Sequence, residues 1–349
     1  MLRDSISRGL VVICAGLLMG GCDPTTAPDS AKEPVARVER DAHRAGPSAV
    51  LLASGLEGAF GSTIGPDGAL YVIEGGAGRI SRVDPRSGVI TTFASGLPQR
   101  VIPPEGGAMD VAFIGRTAYA LVSAVGPDVG GSAVVGIYRM DGPESFTVVA
   151  DIGAFNLANP PTRDFVIEVP TGYQIAFETY RDGFLVSDGH LNRVLRVSRD
   201  GEITELIAFD NIVPTGLAVS GNTVYLAQAG PLPHLPENGK VVSFGLKSPT
   251  ATEVARGARL LVDVEFGRGR SLYALSQGTW VGTVPGTPAQ PNTGALVKVN
   301  RNGTFTVITQ PLNQPSSLEF IGNTAYVVTL GGEIWKIDDG SDRQDDESR

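Results

Sequence analysis

Asp110 and Asp263 hold the same place in two copies of a repeated pattern, three copies apart. A second recurring place, three residues past the centre of a repeated tripeptide, is filled by Glu74, Val122, Asp188, Gln228, Ser276 and Thr329. Hard oxygen donors brought together from separate repeats can hold Ca²⁺ or Mg²⁺, and the cation in turn relieves repulsion among the carboxylates. Asp110, Asp263, Glu74 and Asp188 are therefore candidate metal ligands. A metal held there would polarise a lactone or related ester and lower the pKa of an attacking water. The same acids are equally suited to capping backbone groups at polar strand ends. His190 follows Asp188 closely and is a candidate acid or base, but no second histidine stands at zinc-ligand spacing. Gln228 completes the polar set. No Gly-x-Ser-x-Gly turn occurs, so a serine hydrolase is not indicated, and Gly75–Gly78 precedes a strand, as in a hairpin turn, instead of a helix. Trp280 lies in a Pro-rich loop, where its indole either stacks on a sugar, an aromatic ring or a partner, or folds its own loop down.

The elements that must position these residues repeat six times. Leu70-Tyr71-Val72 returns as Ala118-Tyr119-Ala120, Phe184-Leu185-Val186, Val224-Tyr225-Leu226, Leu272-Tyr273-Ala274 and Ala325-Tyr326-Val327. Each copy follows an apolar run closed by a turn and precedes an alternating strand, such as Arg79–Asp84 or Arg193–Ser198. Five copies then add a fourth run, and the sixth lacks it. Short period-two segments repeated at roughly 40 to 65 residues signal small antiparallel sheets arranged radially. The expected fold is all-β, a six-bladed β-propeller of four-stranded antiparallel blades. The orphan strand 49–53 is expected to close the last blade, which removes an exposed sheet edge. The recurring tyrosines read as blade packing. Gly at 45 and Pro at 24 of 349 residues suit strands and tight turns.

The first 21 residues read as a signal peptide, with Arg3 and Arg8 ahead of the apolar stretch 10–19. Leu18-Met19-Gly20-Gly21-Cys22 resembles the bacterial lipobox, which makes Cys22 a lipidation site; the alternative is an ordinary secretory signal. The only other cysteine, Cys14, lies inside the leader, so no disulfide is expected. Residues 22–47 read as a flexible Pro/Ala/Ser-rich tether, 48–338 as the propeller, and 339–349 as a disordered acidic tail. A formal net charge of −9, with no Lys/Arg cluster, argues against a nucleic-acid partner. The expected setting is the bacterial cell envelope, on its periplasmic or extracellular face, with the lipid in the membrane.

Ala150–Asn156, Val169-Pro170-Thr171-Gly172, Val213–Val219 and Gly294–Val299 together resemble the ScyD/ScyE propeller family, related to the NHL and gluconolactonase-like propellers, over nearly all of residues 50 to 337. The resemblance implies an exported six-bladed ring. The gluconolactonase-type ligand set of Glu, Asn, Asn and Asp has no residue-by-residue match here. Long segments fall at 98–107, 125–132, 155–170, 230–238 and 278–294, all in connections on one face of such a ring. Long loops in a compact fold are commonly functional, so that mouth is the expected site, for a small molecule, glycan or protein. A monomeric binding or scaffold module is the first reading and a divalent-metal-dependent lactonase the second. No catalytic motif is evident.

Overall fold

The computed structural model describes residues 48–338 apart from 105, 164, 248 and 283, and the signal peptide, Cys22, the tether and the acidic tail lie outside the described residues. Twenty-four strands form six four-stranded antiparallel sheets. The first blade is β2 (Ala59–Ile64), β3 (Leu70–Glu74), β4 (Arg79–Val83) and β5 (Ile90–Ser95). Next come β6 (Gly107–Ile114), β7 (Thr117–Ser123), β8 (Gly136–Gly142) and β9 (Ser145–Asp151), then β10 (Gln174–Tyr180), β11 (Gly183–Asp188), β12 (Arg193–Ser198) and β13 (Ile203–Ala208). The fourth blade is β14 (Pro214–Ser220), β15 (Thr223–Gln228), β16 (Lys240–Gly245) and β17 (Thr252–Arg256), and the fifth β18 (Leu261–Phe266), β19 (Leu272–Ser276), β20 (Gly294–Val299) and β21 (Phe305–Leu312). The sixth holds β22 (Pro315–Ile321), β23 (Thr324–Thr329) and β24 (Glu333–Asp338), and takes β1 (Ser48–Ser54) as its outer strand. Closure is as the sequence leads one to expect, with Leu51 opposite Trp335.

Apolar clusters fill the interfaces between blades, and the recurring tyrosine is the wedge. Tyr71 meets Phe113 of the second blade edge-on at 4.8 Å, Tyr119 meets Phe184 of the third at 4.9 Å, Tyr225 meets Phe266 of the fifth at 5.2 Å, and Tyr273 meets Phe320 of the sixth at 4.9 Å. Tyr326 packs with Leu70, Val72 and Val83 of the first blade, closing the ring. Each aromatic pair adds about 0.5–1.5 kcal/mol beyond the area it buries, so the repeat is a packing device.

Strand alternation puts the starts of the innermost strands β2, β6, β10, β14, β18 and β22 on the same face as the long connections. A short helix, α1 (Ile152–Ala158), sits in one of these loops; the sequence gives little sign of it because seven residues are too few to show a helical period. Asp151 caps it by accepting a hydrogen bond from the Ala154 amide at 2.8 Å. Ser48 pairs with Asp338 at the far end of β24, so the chain enters and leaves the ring on the short-turn face, opposite the long loops.

Candidate functional site

Glu74 and Asp188 stand where expected, at the mouth ends of β3 and β11, and both are fully buried. Their oxygens are occupied. Glu74 accepts from the Glu57 amide at 2.6 Å, from Nε and Nη2 of Arg79 at 2.8 Å each, and from Ser81 Oγ at 2.5 Å. Asp188 accepts from Asn156 Nδ2 (2.8 Å), Gln174 Nε2 (2.7 Å) and the amides of Tyr173 (3.1 Å) and Leu191 (2.9 Å). A carboxylate with three or four donors is satisfied in the protein interior without a cation.

Asp110 and Asp263 also match in register, opposite Leu121 and Leu275, each at a bulge in an innermost strand. They lie below the mouth, facing the axial channel, and do not meet Glu74 or Asp188. Each reaches into the next blade. Asp110 accepts the Phe177 amide at 3.0 Å and its neighbour Val111 at 2.8 Å; Asp263 accepts Leu318 at 2.7 Å and Val264 at 2.8 Å. The preceding blade makes room with a glycine. A methyl at Gly61 would stand 2.1 Å from Asp110 Oδ1, and one at Gly216 2.2 Å from Asp263 Oδ1. Each aspartate thus ties its own blade to the next and lies against a glycine of the one before, and the two latches repeat with twofold character around the axis. Among the described residues no group of three His, Cys, Asp or Glu side chains is set to hold a metal ion.

One rung further along the innermost strands stand three acids that reading the second strands alone overlooks. Glu178, Glu265 and Glu319 lie opposite Leu185, Tyr273 and Tyr326, the rung that carries Thr63, Ala112 and Ala218 in the other blades. The signal was present in the partners of the repeated tripeptide. These glutamates and the two aspartates line a cavity of about 60 Å³ that has no Lys, Arg or His in its wall. That space admits a few water molecules and no sugar-sized substrate. The acids are reachable from the channel yet walled in by protein, and burial is the first cause of their raised pKa values: about 7 for Glu178 and Asp263, and well above the ordinary carboxyl range for Asp110, Glu265 and Glu319, where mutual repulsion adds to it. The cluster therefore holds its protons to higher pH than free carboxyls do.

The remaining candidates are spread around the mouth. His190 Nε2 accepts from the amides of Glu168 and Val169 at 2.9 and 3.0 Å, so the imidazole is neutral, with its proton on Nδ1. Burial lowers its pKa, and it pins the 155–170 loop. Gln228 is buried at the end of β15, opposite Lys240. Trp280 is buried: its indole N–H donates to the Thr287 carbonyl at 2.9 Å and the ring packs on Ala229, Leu260 and Ala289, edge-on to His234. Of the two uses of Trp280 left open by the sequence, the structure shows the one that folds its own loop.

The long-loop face is instead distinguished by apolar side chains that point to solvent. Four loops each expose two: Val101 and Ile102, Leu157 and Val166, Leu232 and Leu235, Val281 and Val284. Val166 is 79% exposed and Val281 63%.

Fold and site define a six-bladed β-propeller with a narrow, acid-lined axis and an elaborated mouth. Its structural neighbours include gluconolactonase-like propellers. A gluconolactonase from Xanthomonas campestris superposes with a TM-score of 0.56 at 12% identity, over 83% of this chain and 89% of that one. The PQQ-bound aldose sugar dehydrogenase from Streptomyces coelicolor gives 0.57 at 14% identity, over 84% and 98%, and a chain of a nidogen/laminin complex 0.50 at 13%, over 72% and 82%. No protein-family model and no curated protein matches the chain. Identities this low carry the fold alone.

Proposed function

We propose that the protein is a binding or scaffold module of the bacterial cell envelope, ScyD/ScyE-like, anchored by lipid at Cys22 and docking a protein partner on its long-loop face. The observation that carries this reading is the set of exposed aliphatic pairs on four loops of one face, the kind of surface that marks an interaction site. A metal-dependent lactonase has less behind it. Its four candidate carboxylates are committed to internal donors, and the axis is too narrow for a lactone.

Photo-crosslinking in cells tests the reading. A photoreactive residue at Leu157, Leu232 or Val284 is expected to give a discrete protein adduct, whereas Val89 and Val307, exposed aliphatics away from the rim, give none. Adducts of equal yield from both sets, or from neither, would remove the rim from consideration. Cys22→Ala is expected to move the protein from the membrane to the soluble fraction.

A further inference from the structure

Apart from the axis and the rim, the flank of the third blade carries a half-open cavity of about 440 Å³, within the size range of small-molecule sites. Phe155 of α1 and the Pro160-Pro161 turn line one side, with Ile203 and Phe209 on and beside the outermost strand β13. Arg193 lines it as well, only 1% exposed. Its guanidinium donates Nη1 to the Asn159 carbonyl (2.9 Å) and to Glu205 Oε2 (3.1 Å), and Nη2 to Asn156 Oδ1 (2.8 Å), with the Phe155 ring centroid 5.6 Å from Cζ. Nε is buried and has no hydrogen-bond partner among the described residues.

Supporting α1 accounts for the bonds to Asn156 and Asn159. It leaves unexplained the apolar cavity and the half-exposed Glu205 that caps Nη1 at its wall. A carboxylate is the partner whose two oxygens match the fork of a guanidinium, and the Nη1 side of Arg193 already carries one. Glu205, whose side chain is 42% exposed, holds only one of the available N–H groups, at the longest of the three distances.

We propose that this flank cavity is a binding site for a planar apolar molecule bearing a carboxylate, its body among Phe155, Ile203 and Phe209 and its head on Arg193, where it displaces Glu205. The site shares α1 with the rim, since Phe155 lines the cavity and Leu157 of the same helix faces solvent, but it does not depend on a docked partner.

The test titrates 2-naphthoate into the full-length protein in non-ionic detergent, with Thr204→Trp as the control for micelle partitioning. Thr204 is an exposed residue of β13 on the cavity wall, so the indole fills the entrance without entering the core. Saturable one-to-one binding is expected, weakened at least about tenfold by Thr204→Trp at unchanged Tm, and at least about tenfold weaker for neutral 2-naphthalenemethanol. Glu205→Gln removes the competing anion and is expected to tighten naphthoate several-fold. Equal binding to Thr204→Trp, equal binding of the alcohol, no tightening by Glu205→Gln, or no saturation up to about 5 mM ligand would each overturn the proposal. Loss of the rim adducts with naphthoate binding intact would remove the docking surface and leave this site standing.

Discussion

The axial channel and the flank cavity of the third blade are both lined by charged groups, yet they are built in opposite ways. In the channel, Asp110 and Asp263 each give one oxygen to a backbone amide of the next blade and the other to the amide of their own neighbour, glycines clear space for them, and about 60 Å³ remains. At the flank, a guanidinium held by Asn156, Asn159 and the half-exposed Glu205 borders about 440 Å³ of open space. A cluster of acids at a pseudosymmetry axis is thus a poor guide to a working site when each acid already has its donors. The more telling signs are a buried charge whose partner faces solvent and the room for another group to replace that partner.

The largest expected effect comes from filling the channel. Gly216→Val adds three carbons where Cβ alone would stand 2.2 Å from Asp263 Oδ1, and is expected to destabilise the fold by about 3 kcal/mol or more, read by urea denaturation, whereas Thr204→Val on the flank changes stability by less than about 0.5 kcal/mol. Equal tolerance at the two sites would break the contrast.

Next is Asp188→Ala, which strands the donors of Asn156 and Gln174 and is expected to remove roughly 1–3 kcal/mol. Because Asn156 also holds Arg193, amide exchange should quicken in α1 ahead of the channel strands.

A smaller, pH-dependent effect sharpens the comparison from the other side. The channel carboxyls have folded-state pKa values raised above their unfolded ones, so the native chain binds more protons than the unfolded chain between roughly pH 4 and 7. Their contribution is fully present below the unfolded pKa and is lost as pH rises through about 7, so Tm should fall over that window. Glu178→Gln should flatten the fall and raise Tm at pH 8. A Tm that rises across the window would show that the axis does not hold its protons.

Much of this was legible in the chain. Six spaced tripeptides with alternating partners dictate six sheets, because period-two patterning fixes which face of each strand is buried, and the missing fourth run in the last copy demands the strand at 48–54. The placement of the long loops follows from strand alternation alone. Glu178, Glu265 and Glu319 were hidden in plain spacing: the residue facing a repeated aromatic is set by register, and bulges between the first two strands shift that register by a residue in every blade. Whether an acid is a ligand or a latch could be decided only by the tertiary structure. The donors that claim Asp188 come from residues 15 and 32 positions earlier as well as three later, and those of Asp110 from the neighbouring blade. Burial of Trp280, the exposed rim and the cavity around Arg193 likewise arise from residues remote in sequence, since hydrogen-bond satisfaction and packing belong to the folded surroundings of a side chain and not to its type or spacing.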